Sequence, residues 1–213
     1  MANISKWSNV AVAVQSAIGG ALTISSITKA NPGVATSTSH GLTNGDYVLL
    51  SVSGMYQVNN RVFRVTGSTT NTFNLEGEDT TNYGTFSSGS AYKLTFGTTA
   101  STLLTISAEG GEVELIDSTT IHDSIRSVVT GVASPVVFSF ESIWDVADTF
   151  LTTLRAASNA GTARGVLFTF SNGQKVVFSG YVGAVLTPQG SAQEIVKTPV
   201  KLTAMGLPTV YSS

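Results

Sequence analysis

The stretch from Arg164 to Met205 constrains the fold more than any other. It opens with Gly165-Val166-Leu167-Phe168-Thr169-Phe170, a β-branched and aromatic run, and continues into Ser171-Asn172-Gly173-Gln174. Asn-Gly between two apolar runs signals a hairpin, because a type I′ turn needs positive φ at both central residues. The partner run is Lys175-Val176-Val177-Phe178-Ser179-Gly180-Tyr181-Val182, and a loop with Pro188 and Gly190 leads to a last run from Gln193 to Ala204. The pattern predicts a three-stranded antiparallel meander with Asn172 and Gly173 at its first turn.

Composition narrows the chemistry. The chain holds no Cys, which rules out thiolate metal sites, disulfides and Cys nucleophiles, and its two His make a His-rich metal site unexpected. Charged residues are only 11% of the chain and the net charge is −2, so there is no basic footprint for gripping nucleic acid. No run approaches the roughly 20 apolar residues of a membrane helix. Lys6 before Val10-Ala11-Val12-Ala13-Val14 imitates an export signal, but the β-branched alternation favours a strand. No cofactor, metal or catalytic group is expected.

In chain order, Val10 to Ser16 reads as a strand broken by Gly19-Gly20. From residue 22 to 93 the chain is dense in Thr, Asn and Gly, with short apolar runs between turn residues; this predicts a small all-β module. His40, with Ser39 and Asp46 near it, suggests a triad, yet His-Gly-Leu-x-x-Gly-Asp reads better as a turn whose side chains bond their own backbone. Ala91 to Phe96 and Leu103 to Ser107 read as short strands around Gly97. Glu112 and Glu114 share one face of a half-buried strand, with Val113 and Leu115 on the other. Ser118 to Ala133 lacks a clean period and reads as a long loop before a strand from Ser134 to Glu141. Ser142 to about residue 158 is the one predicted helix: Ser142 with Asp145 resembles a capping box, Ile143, Ala147, Phe150, Leu151 and Leu154 form a stripe, Arg155 lies in the last turn, and Gly161 supplies the stop.

Phe170-x-Asn172-Gly173-x-x-x-Val177-Phe178-x-Gly180-Tyr181-Val182, followed by Val200-x-Leu202-Thr203-x-x-Gly206-Leu207-Pro208, resembles the closing segment of the major tail tube proteins of long-tailed, non-contractile bacteriophages. Asp117-Ser118-Thr119-Thr120 resembles the start of that family's long loop, which docks on the neighbouring ring. The resemblance implies a mainly β, sandwich- or barrel-like tube domain with one flanking helix, formed by residues 1–21 and 94–213. Residues 22–93 would be an inserted β-module, similar to one that recurs in phage structural proteins, projecting outward. It implies hexameric rings stacked into a hollow tube, partnered by the tape measure protein and other tail proteins. Double-stranded DNA would cross this tube without specific binding. The protein would be made in the host cytoplasm and reside in the virion, without a membrane. Asp117, Ser118, Thr119, Thr120, His122, Asp123 and Arg126 are then inter-ring candidates, and Glu112 and Glu114 candidates for the lumen.

The charges are segregated: eight acids and one base, Arg126, from Glu109 to Asp148, against five bases and one acid, Glu194, from Arg155 to Lys201. Such a pattern suits head-to-tail association through two different patches, and equally fits separate solvated faces. The rival reading is a two-domain β-protein on a virion or cell surface that binds a glycan or receptor, with Tyr47, Tyr56, Tyr83 and Tyr92 as stacking platforms. An enzyme is the third, and it lacks a nucleophile–base pair.

Overall fold

The computed structural model describes residues 9–212. The chain runs β1 (Ala11–Ile24), β2 (Ser26–Ile27), β3 (Val34–Thr36), β4 (Tyr47–Ser53), β5 (Val62–Thr66), β6 (Thr72–Leu75), β7 (Ser88–Thr99) and β8 (Leu103–Glu109). It continues with β9 (Val113–Asp117), β10 (Val128–Ala133), β11 (Val137–Ile143), the helix α1 (Thr149–Ala160), β12 (Ala163–Thr169), β13 (Lys175–Gly183), β14 (Lys197–Ala204) and β15 (Thr209–Tyr211). One antiparallel sheet runs in the order β2-β3-β6-β5-β4-β7-β1-β12-β13-β14-β11-β8, with β15 added on β13, and curls into a half-barrel. β9 and β10 form a separate two-stranded arm.

The mainly β class with one helix is as the sequence predicts, and so is the β12–β13–β14 meander. Its first turn differs from the expectation. Gly173 N–H donates to Phe170 O at 2.9 Å, and Gly173 has φ 87° while Asn172 is not in the left-handed region. This is a three-residue loop with the glycine at its left-handed position, not the two-residue type I′ turn.

β1 does not stop at Gly19-Gly20 but runs through it, paired with β7 from Ala13↔Thr99 to Ile24↔Gly89. Register shifts at Val14/Gln15, Gln15/Ala17 and Ile18/Ala21 bend the pair, as bulges do. A glycine suits such a bend, and at Gly19 a Cβ would crowd Lys93 at 3.3 Å. β7 likewise passes through Gly97 as one strand. Lys6 lies outside the described residues.

The helix starts later than predicted. Ser142 is buried in β11, opposite Thr198, and its hydroxyl lies 2.8 Å from Thr102 Oγ1. Asp148 is the true cap, accepting from Phe150 N at 2.7 Å, and Asp145 caps the turn before it through Ala147 N. Arg155 consequently sits mid-helix. Gly161, with φ 61°, ends the helix as expected. Phe150, Leu151 and Leu154 pack on Val12, Val14, Val166, Phe168, Phe178 and Leu202 of the sheet, and Ala157 is buried on the same helix.

A second core lies within residues 22–93, around Leu50, Phe63, Val65, Phe73 and Leu75. A third, small cluster of Tyr47, Val62, Leu94, Val177 and Tyr211 joins the two. Polar bonds reinforce that joint. Thr209 Oγ1 donates to Val62 O at 2.7 Å, Arg64 N–H donates to Tyr211 Oη at 2.7 Å, and the Arg64 guanidinium lies 4.6 Å from the Tyr211 ring centre. Burial pushes the Tyr211 phenol well above its ordinary value, so it stays a neutral hydroxyl. Arg61 forms a buried bidentate pair with Glu78, which also accepts from Tyr83 Oη at 2.7 Å, and Arg61 Nε reaches Leu207 O at 3.3 Å. Arg61→Met leaves the Glu78 carboxylate buried without its cation, and should destabilise the fold by about 3–5 kcal/mol in chemical denaturation. A loss below about 1 kcal/mol would contradict this account of the joint.

Candidate assembly interface

Three surfaces of the molecule lack the cover that a closed domain provides. The first is the outer edge of β8, which pairs with β11 and has no second sheet neighbour among the described residues. Seven residues of backbone are thus open to another strand, and strand edges of this length readily recruit one.

The second is the arm. β9 was expected to be half-buried and the residues from Ser118 to Ala133 to be a loop; both expectations are corrected. Val128–Ala133 pairs with β9 as β10, so the irregular tip is only residues 118–127. Both faces of the arm are in solvent: Leu115 is 64% exposed, Ile116 53% and Val129 56%, and at the tip Ile121 is 97% and Ile125 81% exposed. The absence of any half-buried alternation is why β10 escaped the periodicity reading. Glu112 precedes β9 and its carbonyl accepts from Ser134 N; Glu114 lies within the strand, and both side chains are exposed.

The tip is held by its own polar groups. Asp117 accepts from Thr119 N at 2.9 Å and pairs with Arg126 at 3.0 Å, while Thr120 N donates to Asp123 Oδ2 at 2.8 Å. Ser118 N donates to Ser127 O at 3.0 Å, and His122 N lies 3.3 Å from Thr120 Oγ1 with its ring in solvent. The seven inter-ring candidates are therefore gathered in one turn at the end of the arm. The Thr119 hydroxyl and N–H hold the Asp117 carboxyl below its ordinary value, and the Thr120 N–H and hydroxyl do the same for Asp123.

The third surface is the sheet face turned away from α1. Residues directly paired across antiparallel strands share a face. The pairs Ser139↔Lys201, Ser139↔Ser107, Glu141↔Thr105 and Tyr181↔Thr203 thus place hydroxyls and a few balanced charges together on that side. Lys197 Nζ lies 3.5 Å from Glu141.

Residues 22–93 offer no comparable chemistry. His40 is buried; its Nδ1 accepts from Leu42 N at 3.0 Å, so the proton sits on Nε2, 3.2 Å from Thr72 O. Asp46 accepts from Thr43 N at 2.9 Å and Lys93 Nζ at 2.7 Å. Burial raises its carboxyl, but those partners outweigh it and hold it below the ordinary value. His40 and Asp46 thus have separate structural duties, and Ser39 is exposed with its N–H donating to Asn71 Oδ1 at 3.0 Å. Of the four tyrosines, Tyr47 is buried, Tyr83 and Tyr92 are half-buried, and Tyr56 alone is exposed, at 75%. No group of His, Asp and Glu among the described residues is placed to hold a metal, and no helix there is long and apolar enough to cross a membrane.

An uncovered strand edge, an apolar arm and a hydroxyl-rich sheet face are features of a β-protein suited to association with further chains. A family model described as phage tail tube protein matches residues 53–213, and the chain belongs to that family. No curated protein matches it in sequence. The family is structural and not an enzyme family, its members are virion components, and membership implies assembly with other tail proteins as an oligomer.

The lowered Asp117 and Asp123 values set a pH window. Their bonds to the tip should be complete above the ordinary carboxyl value of 3.8 and be lost as pH falls through the lower folded values. The amide shifts of Thr119 and Thr120 should stay flat from about pH 8 to 5 and move only below that value. A midpoint above 3.8 would contradict the hydrogen-bonded tip.

Proposed function

We propose that six copies of this chain close into a ring, that rings stack into the hollow tube of a non-contractile phage tail, and that double-stranded DNA passes through it into the host. Family membership supports a tail tube protein, and the unpaired β8 edge carries the ring: pairing with a neighbouring subunit would satisfy its peptide groups and extend the half-barrel. The polar face opposite α1 would then turn inward. Duplex DNA carries a phosphate charge about every 1.7 Å of axis, so a hydroxyl-rich and charge-balanced wall lets it slide. Glu112 and Glu114 are candidates for the rim of that bore, where they repel phosphate. Residues 1–21 and 94–213 form the tube part, and residues 22–93 project outward at the sheet end remote from β8. The arm tip bears on the adjacent ring, and the tape measure protein occupies the bore before DNA does. Synthesis takes place in the host cytoplasm.

Raising the concentration of purified protein should produce hollow rods in negative stain, with six subunits in end view. Compact monomers at every concentration would contradict the tube, and another subunit number would contradict the hexamer. Glu112→Lys with Glu114→Lys should leave tubes intact and slow genome ejection, measured as DNA release from particles; normal release would remove these residues from the lumen. The glycan-binding reading finds little support, since a single tyrosine of its four is presented to solvent.

A further inference from the structure

The arm leaves the sheet where β8 ends and β11 begins, at the pair Val137↔Glu109. At the opposite end of the same strands, beyond the pair Ile143↔Lys197, lies another uncovered apolar surface. It centres on Trp144, whose N–H donates to Val196 O and whose Nε1 donates to Leu186 O, each at 2.9 Å. Those two bonds gather residues from two segments: Val146 is 61% exposed, Val185 74% and Ile195 59%. The seven residues of β11 separate arm and patch by about 23 Å at roughly 3.3 Å per residue.

The patch is held in shape at a cost. Leu186 has φ 55° and Gln193 φ 72°, left-handed values that a branched apolar residue such as leucine rarely takes. Leu186 is buried, its carbonyl is fixed by the Trp144 indole, and its neighbour Val185 is turned outward. A backbone held in this way to expose a valine points to a contact the isolated chain does not make.

Two different apolar patches at opposite ends of one subunit are what a head-to-tail contact requires, since a two-fold contact would reuse a single patch. We propose that the arm of one copy, through Ile121 and Ile125 at its tip and Ile116 and Val129 on one face, seats on the Trp144–Val185–Ile195 patch of a second copy in the next ring. This rests on the tube reading and adds to it the receiving surface. Ile116 and Val129 are paired across the arm and share one face, which suits it to lie on the surface that Trp144, Val185 and Ile195 form. Repetition of the contact propagates the stack.

The chain has no native Cys, so two introduced thiols report one contact. Ile125→Cys and Val185→Cys in one chain should give a ladder of cross-linked species with a short bismaleimide in assembled rods. The two single variants, mixed, should give dimers only. Val185→Asp with Ile195→Asp, at exposed positions that the fold tolerates, should keep the wild-type melting profile and raise the concentration needed for rods by roughly tenfold or more. Rods that form from this variant as from wild type, rods of the double-thiol chain that give no cross-link between the two introduced thiols, or Ile125→Cys linking only to itself would each overturn the proposal and leave the tube reading standing. Failure of the wild type to form rods at all would overturn both.

Discussion

Every peptide group of a strand needs a hydrogen-bond partner, and on one side of β8 the sheet supplies none. That constraint shapes the rest of the molecule. The sheet is anchored at its other margin by the residue 22–93 core, while β8 stands at the open side with the arm extending from its end. The same margin therefore carries unpaired backbone and uncovered apolar side chains. Both are hazards for a monomer and both are uses for an assembly.

The half-barrel itself has to be stiff for such an edge to be useful. β1 and β7 provide that: β1 serves both cores as a single strand, and β7, paired along it, serves the second core through Ala91 and the joining cluster through Leu94. The end of the chain adds a second tie. β15 pairs with β13, while Tyr211 and Thr209 bond the backbone of β5. The Arg61–Glu78 pair, sealed by Tyr83 and reaching Leu207, closes the same joint from the module side. A subunit built in this way holds its two cores together at one joint.

The meander at the C-terminal end was legible because its runs alternate and its turn residues are unambiguous, although the turn type was not. Gly19-Gly20 misled because a glycine pair marks a bend as readily as a stop, and only the β7 partner decides which. Ser142 misled because a serine followed by an aspartate and an apolar stripe imitates a helix start, whereas its hydroxyl is spoken for by Thr102. The inter-ring candidates could be picked out around Asp117, yet their convergence in one tip depends on β10, which carries no period to read. The Trp144 patch and the Arg64–Tyr211 contact join segments distant in sequence, and no local pattern announces them.

The proposed assembly requires that the β8 edge and the arm be completed by other copies. Amide hydrogen exchange on dilute and on assembled protein tests this most directly. The outward-facing N–H groups of β8 and those of the arm should exchange rapidly when dilute and become strongly protected on assembly, while β1 and β7 stay protected in both. Equal exchange of β8 and the arm in the two states would contradict it.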